Sequence, residues 1–245
     1  MKKYLIPGLA LVTLFSSATA IAAYDLDDTY IGVGNPNDVI GSNSVFNSHG
    51  LNASISGSIL TVDIFTNFAG EADNGHYPGQ TQTEASGWGN GIGYGDLFLS
   101  SCDANGEWEY GLAIDDRWGV DGGSTGLFSL NDSSFLYSDD FLSSGTYRNG
   151  HEVAVDTASA DQIGSGSWTI NEADGSLSFI VNLEGTGLDY EDGLAFGWGM
   201  TCANDVIQGS VAIEDMVTDV PEPGILGLLS LGLLGTIVNR RKKAV

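Results

Sequence analysis

Between Tyr24 and Asp219 the sequence has no lysine and only two arginines, Arg117 and Arg148. The other cations sit at the two ends, Lys2 and Lys3 at one and Arg240, Arg241, Lys242 and Lys243 at the other. Of the chain's 32 carboxylates, all but Glu222 lie in the stretch with those two guanidiniums. A surface with that balance repels nucleic acid phosphates and anionic lipid headgroups, which excludes DNA or RNA as a partner.

Other absences narrow the chemistry. There is no Cys-x-x-Cys, and His49, His76 and His151 are scattered, so the ligand spacing of a zinc site is missing. The run "GWGNGIGYGD" never reaches the Gly-x-Gly-x-x-Gly spacing and opens no helix that could cradle a phosphate. Gly122 to Gly126, "GGSTG", matches the Gly-x-Ser-x-Gly pattern. The following "LFSLNDSS" is not the helix that a nucleophile elbow needs, so the segment reads as a flexible loop. No stretch between Tyr24 and Asp219 carries a sustained helical period with caps.

What the sequence does carry is period two. "LTVDIFT" sets Leu60, Val62 and Ile64 against Thr61, Asp63 and Phe65, and "WEYGLAID" places Trp108, Tyr110, Leu112 and Ile114 on one face. "GSWTINEADGSLSFIVNL" holds two such runs about Asp174 and Gly175, a turn pair that supplies positive φ, and so predicts a hairpin. "LAFGWGM" and "VIQGSVAI" repeat the pattern. The expected fold is all-β: an antiparallel β-sandwich or jelly-roll-like body over residues 24–219. Tryptophans in alternating runs are expected in its core.

Residues 1–23 have the layout of a secretory signal peptide: a basic start, an apolar stretch from Tyr4 to Phe15, and small residues at Ala18, Ala20, Ala22 and Ala23. The apolar stretch falls short of the roughly 20 residues that cross a bilayer. The body is therefore expected outside the cytosol, where two thiols in one domain tend to pair. A disulfide between Cys102 and Cys202 is the consequent expectation.

Acidic clusters offer oxygen ligands for calcium: Asp25, Asp27 and Asp28; Asp115, Asp116 and Asp121; Asp189, Glu191 and Asp192. The EF-hand spacing is absent, and solvated acids that keep the protein soluble account for the same clusters. Glu107 and Glu109, two apart on one strand, stand about 6.6 Å apart by strand rise, a separation compatible with glycoside hydrolysis and shared by many solvent-facing pairs.

The last 26 residues, 220–245, have three parts. Val220, Pro221, Glu222, Pro223 and Gly224 form an extended, non-helical entry. Ile225 to Val238 are apolar apart from Ser230 and Thr236, and as a helix they would span only about 21 Å against a hydrocarbon core near 30 Å. Arg240 to Lys243 then resist translocation and hold that end on the cytoplasmic side. A stop-transfer helix that is short, oriented and preceded by a rigid accessible motif suits temporary retention followed by cutting.

This ending resembles the PEP-CTERM sorting signal of Gram-negative bacteria. The resemblance implies transient anchoring at the inner membrane, processing by exosortase near the Pro-Glu-Pro triplet, and delivery of the body to the cell surface or exterior, commonly in organisms that make exopolysaccharide and biofilm matrix. It implies no catalytic residue in the body. Two readings of the body follow, a non-catalytic surface or matrix component, or a module that binds, or cleaves, extracellular polysaccharide. Exposed aromatic faces on Trp88, Trp118 or Tyr94 beside converging polar groups would favour the second.

Overall fold

The structure, a computed structural model, describes residues 24–72, 81–82, 91–102, 107–119 and 121–216. The signal peptide, Trp88, the apolar C-terminal run and the whole sorting segment from Val220 to Lys243 lie outside them. No helix among the described residues is long and apolar enough to cross a membrane.

In chain order the strands are β1 Leu26–Asp27, β2 Ser48–Ser56, β3 Ile59–Thr66, β4 Thr81–Gln82, β5 Leu97–Ser101, β6 Tyr110–Ile114 and β7 Gly122–Ser129. They continue with β8 Phe135–Tyr137, β9 Leu142–Ser144, β10 Glu152–Val155, β11 Asp161–Asn171, β12 Ser176–Asn182, β13 Gly193–Gly199 and β14 Val206–Ala212. Three single-turn helices, α1 Asn43–Phe46, α2 Ser138–Phe141 and α3 Ile213–Met216, complete the described elements.

Ten strands form one sheet in the order β1-β2-β3-β12-β11-β7-β6-β5-β13-β14, with every pairing antiparallel. The body is all-β as expected, but it is not two sheets of similar size packed face to face. The single large sheet curls until its two ends come together, giving a near-barrel. At the junction Leu26 of β1 lies so close to Gly209 of β14 that a Cβ there would stand 2.6 Å from the leucine. A curled sheet removes most of the unpaired edge that an open ten-stranded sheet would expose.

The concave face holds the main core. Leu60, Val62 and Ile64 point inward beside Leu51, Ala53 and Ile55 of β2 and Leu177, Phe179 and Val181 of β12. Trp168 and Trp198 are buried with them. The β11–β12 hairpin forms, its register running from Asn171 opposite Ser176, and Gly175 takes φ +63° in the turn. A smaller cluster of Phe98, Ala113, Phe128 and Val155 lies on the convex face, covered by the β8–β10 pair. Trp108 stacks on Phe98 in this outer cluster, so it does not continue the Tyr110, Leu112, Ile114 face as its spacing predicts. β6 begins only at Tyr110.

Two further expectations are overturned. The "GGSTG" segment is not a loop but the first half of β7, hydrogen-bonded to β6 and β11 on either side. Its glycines let neighbours approach: Gly123 leaves room for the Asp115 carboxylate, and Gly122 takes φ +88°. The expected Cys102–Cys202 disulfide is not formed. In the β5–β13 register Ser101 faces Leu194 and Phe98 faces Gly197. Cys202, beyond the far end of β13, is therefore roughly 25 Å along the strands from Cys102. Cys202 is buried, which pushes its thiol pKa up, whereas Cys102 is exposed.

Candidate functional site

Both arginines of the body are buried, Arg117 to 2% and Arg148 to 1% exposure. The surface of the body therefore displays no lysine or arginine at all. Arg117 Nη2 pairs with Asp96 Oδ2 at 3.0 Å, and Asp96 also accepts the Ile114 and Val155 backbone N–H groups. Each charge thus finds the partner that burial demands.

Arg148 is held differently. Its Nε donates to the Ala203 carbonyl at 3.0 Å, Nη1 to Val33 and Asn35, and Nη2 to Asn37 and Asp38, all backbone oxygens. These contacts engage all five guanidinium N–H groups. They wrap the segment from Gly32 to Asp38 around the side chain; Gly32 takes φ +62° and a Cβ there would stand 2.7 Å from Nε. The guanidinium neutralises nothing directly by hydrogen bonding.

Three carboxylates nevertheless gather beside it. Asp28 follows β1, Asp205 precedes β14, and Asp38 lies on the wrapped segment; one oxygen of each falls within 4.8 Å of the others. They stand where the two ends of the sheet meet. Asp205 is fully buried and anchored, Oδ2 accepting the Ser48 N–H at 2.6 Å and Oδ1 the Val206 N–H at 3.0 Å. Asp38 is exposed. Both oxygens of Asp28 are closed off from solvent and neither accepts a well-formed hydrogen bond. Burial pushes the Asp28 carboxyl pKa well up, Asp205 and Asp38 add to the rise, and the Tyr30 N–H only partly opposes it. Asp205 is also pushed up by burial, against the pull of the Ser48 N–H. Neighbouring Asn204, 1% exposed, has neither side-chain polar atom hydrogen-bonded.

The calcium candidates do not converge as clusters. Asp28 alone joins the site. Asp25 instead accepts the Ala53 N–H and stitches β1 to β2. Burial raises the pKa of Asp115, but the Ser124 N–H and the Trp168 indole N–H outweigh it and hold the carboxyl below the usual range. Asp116 accepts the Trp118 N–H, and Asp189 the Glu191 N–H, each closing a local turn. Asp27, Asp121, Glu191 and Asp192 are exposed. Asp38 and Asp205 escaped the sequence reading although a signal exists: the tetrapeptide Asn-Asp-Val-Ile occurs at 37–40 and again at 204–207. The two copies meet, the Ile40 N–H donating to the Asn204 carbonyl at 2.8 Å.

A second feature is an open groove of about 530 Å³ on the convex side. Tyr30, Trp108, Tyr110 and Phe135 line it with Glu107, Glu109 and other polar groups. Glu109 Oε2 accepts the Ser101 N–H at 2.8 Å. Of the aromatic platforms expected from the sequence, Tyr94 is buried, its hydroxyl accepting the Gly70 N–H, and Trp118 is half-buried.

Over its described residues the body is thus an acidic all-β near-barrel. Residues 219–243 match the family model of the PEP-CTERM protein-sorting motif, so the chain carries that motif, which marks an exported protein sorted by exosortase in Gram-negative bacteria. No curated protein and no solved structure matches the chain.

Proposed function

We propose that this is a non-catalytic surface or extracellular-matrix protein, held at the inner membrane by its tail until exosortase cuts near Pro221 to Gly224. The observation that carries this reading is the sorting motif at 219–243, beginning within three residues of the last described element, α3. The body's surface supports it, because an envelope of carboxylates without exposed lysine or arginine keeps a released protein soluble and apart from anionic lipid. Fractionation of cells with and without exosortase tests it. The body should appear at the surface or in the medium of the first and accumulate in the inner membrane of the second; equal distribution contradicts the reading.

A saccharide-binding role is favoured by the groove at Trp108. Aromatic faces beside hydroxyl-accepting carboxylates are the chemistry of sugar recognition. Glu107, Glu109, Asp132 and Glu152 at the groove suit neutral or amino sugars and repel uronic acids. Glycan-array binding that is lost in Trp108→Ala would support this role, and an array without a saturable signal would remove it.

A further inference from the structure

The joint between the ends of the sheet gathers three carboxyl groups with fewer hydrogen-bond donors than their oxygens can take. Arg148 is the basic side chain acting on Asp205, Asp38 and Asp28, and its donors are all committed to carbonyl oxygens. Both Asp28 oxygens are closed off from water and neither accepts a well-formed hydrogen bond, and one of them lies within 4.8 Å of a carboxylate oxygen of Asp38 and of Asp205. An ionised carboxylate in that state is among the costliest groups a fold can bury. Asn204, next to Asp205 in the chain, leaves an amide oxygen equally unsatisfied beneath the Asp38–Gly41 stretch; its Nδ2 lies 3.6 Å from the Cβ position of Gly41.

We propose that Asp28, Asp38 and Asp205 bind a hard divalent cation, Ca²⁺ in the surroundings of an exported protein, and that this ion fastens the junction between β1 and β14. Oxygen-only donors of this kind suit calcium and not the softer transition metals. Exposed Asp38 provides the entrance, and Asp205, fixed by Ser48 and Val206, provides the floor. The nearby carbonyls of Val33, Asn35, Asn37 and Asp38 already serve Arg148, so waters must complete the shell. That places the affinity with extracellular calcium modules, at a Kd of about 10⁻⁴–10⁻³ M.

The test uses the full exported protein and Ca²⁺ alone, by calorimetric titration and by melting in CaCl₂ against chelator at matched ionic strength. One ion per chain should bind saturably, and Tm should rise with calcium. Asp38→Asn, at the exposed ligand, should weaken binding about tenfold or more while leaving Tm in chelator close to wild type. Asp28→Asn should abolish the calcium response while leaving Tm in chelator close to wild type, since the ion-free protein holds Asp28 as the neutral acid and asparagine matches that acid in size and polarity. The proposal is overturned by no saturable binding at up to about 10 mM Ca²⁺, well above the expected Kd. A Tm rise reproduced by sodium chloride at equal ionic strength, or an unchanged calcium response in both variants, overturns it as well.

Discussion

Asp205 Oδ2 accepts the Ser48 backbone N–H at 2.6 Å, a contact between residues 157 apart that ties the head of β14 to the head of β2. No strand ladder among the described residues joins β14 to β1, so this side-chain bond takes over where the sheet's own pairing stops. The carboxylate thus joins the Leu26–Gly209 contact and the Ile40–Asn204 backbone bond in closing the near-barrel.

Asp205→Ala is therefore expected to destabilise the body by about 3 kcal/mol, because two buried N–H groups, of Ser48 and Val206, lose their acceptor. Asp205→Asn should recover part of the loss through its one acceptor oxygen. Urea unfolding of the three proteins checks the order; an alanine variant as stable as wild type would contradict the anchoring role.

Arg148→Met should cost about 3 kcal/mol or more and free the 32–38 segment, leaving the carbonyls of Val33, Asn35, Asn37, Asp38 and Ala203 without donors. Arg148→Lys should not rescue it, since one ammonium cannot serve five separated oxygens. Limited proteolysis reads this out as new cleavage near residues 32–38 in both variants.

The buried ion pair gives a third expectation. Replacing Arg117 by Leu leaves Asp96 charged, fully buried and served only by the Ile114 and Val155 N–H groups, at a cost of about 3–5 kcal/mol. The double variant Asp96→Leu with Arg117→Leu should recover stability relative to Arg117→Leu alone. A double-mutant cycle in urea measures that coupling.

His151 sets a pH dependence. Burial, and then the charge of Arg148, push its imidazole pKa down to about 4 from the ordinary 6.5. Glu152 Oε2 stands 3.9 Å from Nδ1, too far to form the hydrogen bond that would offset this. The folded state keeps the ring neutral while the unfolded chain takes a proton. The contribution is thus complete above about pH 6.5 and is lost as pH falls towards 4, to a limit of about 3 kcal/mol. Asp28 and Asp205, whose carboxyl pKa values are raised, act with the opposite sign in ion-free protein, holding protons that the unfolded chain releases. Comparing wild type with His151→Gln in chelator at pH 7 and pH 5 isolates the histidine: the variant should lose less stability on acidification.

Much of the sheet was legible because burial on one face prints a period of two. Leu60, Val62 and Ile64 read as one face and are one face, and Gly175 marked the β11–β12 turn. Where glycine replaced side chains the signal vanished: Gly122, Gly123 and Gly126 hid β7, although they fit it through close approaches no Cβ would allow. Curling is a property of the whole sheet and left no local mark. Trp108 kept the spacing of its neighbours but follows Phe98 to the convex side because the strand starts two residues later. The site was legible only through Asp28, since its partner Asp205 stands 177 residues further along the chain and Asp38 sits in no acidic cluster. The doubled Asn-Asp-Val-Ile was its one printed clue, and the burial of both arginines had none.

Intact mass of the protein recovered from the exterior of a native host reports whether the sorting tail is removed. A mass lacking residues 1–23 and everything beyond a cut near Pro221 to Gly224 is expected, with a longer, tail-bearing form in cells without exosortase. Exported material whose mass still includes Arg240, Arg241, Lys242 and Lys243 would contradict it.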